Sequence, residues 1–522
     1  MEQHYKDKFL RNTAFSIGGH LWRIVFGLIT TPIIISYIGI ERFGIWAMIG
    51  LLAGYFGLAD FGMGSAFVRF ITNHHANDEL EKINTIASTA VFFFVSTALC
   101  LMAVTVLILN PLIHFLGIGK SLESEAAFVF LFGLATLFMN NIFSIFYSIQ
   151  IGLQRMDITN KVSIAMTVPS LAGTLLVLKL GYGLRGLIVN HFAMTVIFVA
   201  VNMLIARRLL PSLRVRPTLF RFGALKELIT FGLKIQIGNL SEFVTFQIDK
   251  MLIGHFLNLN LVGQFQIGTQ VAAKARQIPS MLAFAVMPAA AELDARGDKG
   301  KLDRMYISGS KFLSLITAPL MGFLFIFAGV IVTAWINDRE LVMASLAIRM
   351  LAPALMFYSI AVVATSVAVG IGQPGIVTRA GLSYIILNII LSIILIMRFG
   401  YPGTLAATTI PMWLYCAMLW IKLHRHLDVS STRFFFDVLL KPASASFIAG
   451  AILFFPSKSI GLFSMFNTRL HNIAILTGGA ALFFLLYILL IRRMNFLDKY
   501  ERNILSEKLG LPDWTVNLLL GK

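Results

Sequence analysis

Charge is scarce in this chain. Only 13% of its 522 residues are Asp, Glu, Lys or Arg, about half the share of a typical soluble domain. So few ionised groups cannot hydrate the surface of a chain that is 57% apolar. That excludes soluble globular, disordered and nucleic-acid-binding classes as descriptions of the whole. Cysteine is nearly absent: Cys100 and Cys416 both lie in apolar stretches, so a disulfide scaffold or thiolate metal cluster has no support. Acid is scarcer than base, 25 residues against 43, for a net charge of +18. In a membrane chain, positive-inside bias and contact with anionic lipid account for such an excess. The N-terminus, MEQHYKDKFLRN, runs into an apolar stretch without a small-residue cleavage site, so it is expected to persist as a first span.

What is present is long apolar runs. Fourteen fall near 12–37, 44–69, 84–109, 124–150, 161–180, 185–206, 229–255, 260–290, 305–334, 341–371, 377–397, 402–424, 438–456 and 470–491. They are continuous rather than alternating, which excludes a β-barrel. The expected fold is therefore an all-α polytopic membrane protein. Sorting Lys and Arg with the N-terminus in the cytoplasm puts 29 in inside segments and 8 in outside connections, which places both termini in the cytoplasm. No connection is long enough to hold a folded domain. Residues 432–441 and the tail 495–520 mix charges with aromatics or leucines and read as helices lying at the lipid headgroups.

An internal repeat is legible. Gly44 matches Gly263 and the Gly181-Tyr182 pair matches Gly400-Tyr401, both at an offset of 219. This predicts two six-helix lobes related by a pseudo-two-fold axis along the membrane normal. The expected divisions are an N-lobe at 1–206, a basic cytoplasmic linker at 207–228 and a C-lobe at 229–425. Residues 426–522 add a surface helix, spans thirteen and fourteen and an amphipathic tail. Paired lobes of this kind are a secondary-transporter plan.

Ionised groups at membrane depth cost about 2.5–3.5 kcal/mol at the bilayer centre on insertion scales, so each is a functional candidate. The spans hold six cations, Arg23, Lys234, Lys250, Lys274, Arg276 and Arg349, and three anions, Asp60, Glu242 and Asp249. Lys234 and Lys250 lie close enough to span ends to snorkel, and Arg69 reads as an orientation anchor. Gln266, Gln270, Lys274 and Gln277 recur at helical spacing and share one face. Arg276 is about 200° from Lys274 and belongs to another surface. At an offset of 216, Asn239 is the repeat counterpart of Arg23, one turn from Glu242. Asn140, Ser144 and Tyr147 line one face of span four, and span six supplies Asn190 and His191. Those polar groups serve equally as cavity lining or as interhelical hydrogen bonds. Pro32, Pro169, Pro279, Pro288, Pro319, Pro353 and Pro411 fall inside spans, where they hinge lobes or kink helices.

Residues 37–71, YIGIERFGIWAMIGLLAGYFGLADFGMGSAFVRFI, carry a Gly-x-x-x-Phe-Gly turn, an Asp-x-Gly stretch and Arg69. Residues 370–410 carry a Gly-rich turn, Asn388 and a Gly-Tyr-x-Gly turn at Gly400. This pattern resembles the polysaccharide-exporter branch of the multidrug/oligosaccharidyl-lipid/polysaccharide flippase superfamily. The resemblance implies a non-enzymatic flippase of the bacterial inner membrane, without cofactor. It would move polyprenyl-diphosphate-linked O-antigen, capsule or exopolysaccharide units outward by alternating access. Partners would be membrane lipid, the lipid-linked oligosaccharide and polysaccharide polymerase or assembly proteins, with no nucleic acid.

On that reading Arg23, Lys274, Arg276 and Arg349 would meet the diphosphate, since low-dielectric surroundings will not accept it unpaired. Gln266, Gln270, Gln277, Asn140, Ser144, Tyr147 and Asn239 would meet sugar hydroxyls. Glu242, Asp249 and Asp60 would either bind a coupling H⁺ or Na⁺ or balance the cations. The alternatives are a cation-coupled multidrug exporter of the same superfamily, which would want an acidic aromatic cavity, and a membrane-embedded glycosyltransferase or polymerase. The second lacks a large external loop and an acidic catalytic pair.

Overall fold

The computed structural model describes the backbone of residues 2–57, 60–280, 283, 286–338, 340–459 and 469–504. It describes their side chains except at 2–17, 20, 21, 23, 53–57, 234, 235, 237–246, 278 and 455–459. Among the described residues all regular structure is helical. The helices are α1 (Glu2–Gly57), α2 (Met63–Ala76), α3 (Leu80–Phe115), α4 (Lys120–Gly152), α5 (Met156–Lys179), α6 (Gly183–Leu209) and α7 (Phe222–Phe256). They continue as α8 (Leu259–Ser280), α9 (Val286–Ala295), α10 (Lys299–Ile336), α11 (Val342–Gly370) and α12 (Pro374–Leu427). The last are α13 (Ser431–Phe434), α14 (Lys441–Ser459), α15 (Arg469–Arg493) and α16 (Lys499–Asn503).

Ten helical stretches among the described residues are long and apolar enough to cross a membrane, and the chain is a multi-pass, all-α membrane protein. Ten is fewer than the fourteen apolar runs for identifiable reasons. Two pairs of runs each fuse into one helix: α1 bends at Gly39 (φ 78°) and α12 at Gly400 (φ 60°). Both bends use left-handed φ that a Cβ disfavours, so glycine rather than the intraspan prolines makes the sharp turns. The other two runs are helical over α7 and α8: α8 is too polar to count, with Gln266, Gln270, Lys274, Arg276 and Gln277, and much of α7 lies among the residues whose side chains are not described.

The 219-residue offset recurs between some element bounds. Helix α3 starts at Leu80 and α10 at Lys299, an offset of 219, and α6 and α12 end at Leu209 and Leu427. Gly181, with φ 80°, occupies the turn that corresponds to the Gly400 bend. The chain forms two compact units, Met1–Gly263 and Gln264–Lys522.

In the first unit α7 and the first turn of α8 pack through close backbone approaches. A Cβ on Gly232 of α7 would strike the Phe61 carbonyl and one on Gly117 the Gly254 carbonyl of α7, while one on Gly44 of α1 would strike the Leu259 carbonyl and one on Gly263 of α8 the Ile40 carbonyl. Small residues let membrane helices approach this closely, where packing rather than hydrophobic burial drives association. One end of this unit is filled by Met63, Phe67, Ile71, Ile83, Phe94 and Ile149 with Leu210, Leu225 and Leu228.

In the second unit α14 and α15 pack on α10. Gly322 leaves room for Ser446, whose hydroxyl donates to the Ala318 carbonyl (2.9 Å), and Gly450 leaves room for Ile326. Phe483, Tyr487 and Ile491 of α15 close this cluster with Phe496 and Leu497. The start of the tail thus packs against protein. Glu501 is buried and takes an ion pair from Lys311 (2.9 Å), while Asp498 and Glu501 form a reciprocal N-terminal cap on α16. Beyond residue 504 the expected tail helix lies outside the described residues. The other expected surface helix, 432–441, runs through α13 and a π-helical turn (Phe435–Leu440) directly into α14. Its inner face buries Phe434, Val438 and Leu439.

Candidate functional site

Helix α8 opens the second unit and carries the polar row. Phe265, Ile267, Gly268, Thr269 and Ala272 are buried, whereas Gln266, Gln270, Lys274 and Gln277 are half-buried. Their four-, four- and three-residue spacing places all of them on the helix's less covered face. Along this row Gln266 Oε1 is enclosed and has no hydrogen-bond partner among the described residues. A buried acceptor left unsatisfied in a native fold calls for an explanation, such as a group that arrives with a ligand. The neighbouring Gln264 serves the fold instead: its carbonyl oxygen accepts from the Met343 and Ala344 amides (3.0 and 3.2 Å). These are N-terminal donors of α11 that no residue of the helix itself can satisfy.

Arg276 lies on a different surface from the row, as its offset requires. Its guanidinium stands over the Tyr358 ring, 5.0 Å from the centroid. Tyr358 is followed by Tyr415 (5.5 Å) and Tyr415 by Tyr384 (6.3 Å). This Arg–Tyr series, joining α8, α11 and α12, was not singled out from the sequence. Its signal was present, since tyrosines within apolar runs are amphipathic groups that need a polar neighbour. Arg349 is not part of it. Nine residues before Tyr358 on α11, it projects about 180° away and roughly 13 Å along the axis, exposed and directed toward Gly329 of α10.

In the first unit, α4 leaves Asn140 and Tyr147 exposed and Ser144 half-buried. The Asn140 amide donates to the Thr136 carbonyl and the Ser144 hydroxyl to the Asn141 carbonyl, both within α4. The interhelical alternative belongs instead to Asn190, which donates to the Ser170 carbonyl and the Thr174 hydroxyl of α5 (both 3.2 Å). Buried Gln150 likewise donates to Asn202 across α4 and α6 (2.8 Å). His191 is exposed and edge-on to Trp46.

The acidic candidates separate. Asp60 sits between α1 and α2 and accepts from the Gly62 amide (2.7 Å), a turn-forming bond. Asp249 is fully buried in α7. Lys250 does not snorkel: it is buried and donates to Gln247 (3.2 Å). Arg69 stands 4.3 Å from the Phe231 ring centroid, tying α2 to α7. The side chains of Arg23, Lys234, Asn239 and Glu242 lie outside the described residues. Among the described residues no cluster of His, Cys, Asp and Glu could hold a metal ion.

An all-helical multi-pass fold with a row of polar side chains on the less covered face of α8 fits a transporter class. The chain belongs to the polysaccharide biosynthesis protein family, whose pattern matches residues 37–345, and hence to the polysaccharide branch of the flippase superfamily named above. It is similar to a probable flippase, AglR, of Haloferax volcanii, 20% identical over 96% of this chain and 100% of that one. It is also similar to a putative O-antigen transporter of Shigella flexneri, 20% identical over 78% and 98%. Among solved structures its fold resembles the lipid II flippase MurJ in an inward closed conformation. The TM-score is 0.72 at 15% identity, over 95% of this chain and 100% of that one. A multidrug resistance MATE family transporter matches with a TM-score of 0.61 at 14% identity, over 78% and 94%.

Proposed function

We propose that this chain flips a polyprenyl-diphosphate-linked oligosaccharide from the cytoplasmic to the outer leaflet of a cytoplasmic membrane, with both termini in the cytoplasm. It acts as a transporter rather than an enzyme. The observation that carries the reading is the α8 row, in which Lys274 and three glutamines occupy the less covered face of a helix in a chain with few charges to spare. A cation offers a point charge to phosphate, and amides match sugar hydroxyls. The enclosed Gln266 acceptor fits a hydroxyl donor of this kind, and Arg276 beside the tyrosines adds a planar guanidinium.

Outward movement of a dianion from a negative interior releases about 4.6 kcal/mol per 100 mV, so the membrane potential itself can drive the step. Buried Asp249 is the described candidate for a coupling H⁺ or Na⁺. The multidrug-exporter alternative rests on fold likeness alone.

The test is translocation of a labelled polyprenyl-diphosphate glycan in proteoliposomes. Lys274→Ala is expected to abolish it while the protein stays folded, and Lys274→Arg to retain part of it. Wild-type rates in Lys274→Ala and Gln266→Leu together would overturn the reading.

A further inference from the structure

The basic linker is not a loose tether. Between α6 and α7 the backbone is extended at Arg216 (φ −140°, ψ 143°) and at Arg221 (φ −132°, ψ 120°), with one short turn at Pro217–Leu219. Three side chains near the start of α3 stitch it down. Asn84 donates to the Ser212 carbonyl (3.2 Å) and accepts from the Arg214 amide (2.8 Å). Ser88 accepts from the Arg216 amide (3.1 Å), and Thr89 accepts from the Arg221 amide (3.1 Å). Ser88 and Thr89 are fully buried.

The extended backbone then alternates its side chains. Leu213 and Val215 pack onto the core cluster, while Arg214 and Arg216 project outward. Arg207, Arg208, Arg221 and Lys226 are exposed as well, so residues 207–227 present six exposed cations and a single acid, Glu227. None of the six side chains has an ion pair or hydrogen bond among the described residues. Phe222 beside Arg221 is 73% exposed, and Phe220 is also uncovered.

Exposed cations on a backbone stitched in place, with bare aromatics beside them, are what a bilayer interface selects: the charge meets headgroups and the rings sit at their level. The position fits, because α6 is one of the crossing helices and ends at Leu209, where this segment begins. We propose that residues 207–226 are a docking strap for the anionic phospholipid headgroups of the adjacent leaflet, held in shape by Asn84, Ser88 and Thr89. The proposal does not depend on which cargo is moved.

The test uses the purified full-length chain in detergent and native mass spectrometry, comparing retention of phosphatidylglycerol with phosphatidylcholine of identical acyl chains. Wild type is expected to prefer phosphatidylglycerol. Each cation near an anionic surface contributes about fivefold, so R214Q/R216Q/R221Q is expected to lose on the order of 100-fold of that preference. R214K/R216K/R221K is expected to keep most of it, and R207Q/R208Q, outside the stitched segment, to lose a smaller part. An undiminished preference in both glutamine variants would overturn the proposal. Displacement of phosphatidylglycerol by millimolar pyrophosphate, but not by sodium chloride of matched ionic strength, would also overturn it, because the strap would then read free diphosphate rather than a lipid surface.

Discussion

The segments that follow the sixth and twelfth runs, 207–226 and 426–441, stand one repeat apart, yet they fold differently. The first is an extended strap with bare arginines. The second is helical, and the Lys441 ammonium is paired with Asp437 (2.8 Å). Their supports explain the divergence. Asn84 and Ser88 of α3 correspond, at the repeat offset of 219, to Asp303 and Ile307 of α10. A carboxylate lacks the amide's donor, isoleucine has no hydroxyl, and Ser308, the counterpart of Thr89, donates to Glu501 instead (3.3 Å), so α10 does not hold an extended chain in this way. It offers Tyr306 instead, where α3 has Ala87. The Tyr306 ring stacks on Phe434 (5.3 Å), its hydroxyl bonds to His424 (2.8 Å), and His424 bonds to Ser431 (2.9 Å). Two segments at one sequence offset are thus held by two different clasps, set by a few side chains on one helix turn.

The largest break in this comparison is expected from Tyr306→Ala. Removing a fully buried aromatic ring leaves a cavity and takes the partner from His424 Nε2, which should cost about 3–5 kcal/mol. Thermal unfolding in detergent would register it as a marked fall in Tm. A smaller change is expected from Asn84→Asp, which makes the α3 clasp resemble that of α10. The bond from the Arg214 amide survives and the bond to the Ser212 carbonyl is lost, for about 1 kcal/mol. Hydrogen exchange at residues 214–216 should speed up by roughly the corresponding fivefold, with the rest of the chain unchanged.

The smallest effect is expected at the turn into α3. The Lys82 ammonium (2.7 Å) and His74 (2.6 Å) hold the Glu79 carboxyl below its ordinary value. A depressed carboxylate contributes stability above its unfolded pKa, near 4.5, and loses it as pH falls through the lowered folded value. Glu79→Gln should therefore lower Tm slightly at neutral pH and flatten the loss seen in the wild type below about pH 4.5. Equal acid sensitivity in both would remove Glu79 from the account. The group is exposed, so the shift should be slight.

Much of the fold was legible in the linear sequence, and the site less so. The apolar runs, the 219-residue repeat and the α8 row needed only periodicity. The fates of individual polar groups did not follow from it. Lys250 was expected to reach the headgroups and is buried on Gln247. Arg349 was grouped with Arg276 but sits on the opposite face of α11 from Tyr358. Asn140 and Asn190 looked alike on paper, yet one bonds into its own helix and the other across to α5.

By itself the sequence determined that this chain lies in a membrane, how its helices succeed one another, and that its base is concentrated on alternate connections. Hydropathy and charge are additive along a chain, so they can be read in order. Only the tertiary structure decided which polar groups are spoken for and which are left facing outward. A hydrogen bond needs its partner within about 3 Å, and here the partners of the linker lie 126–132 residues away.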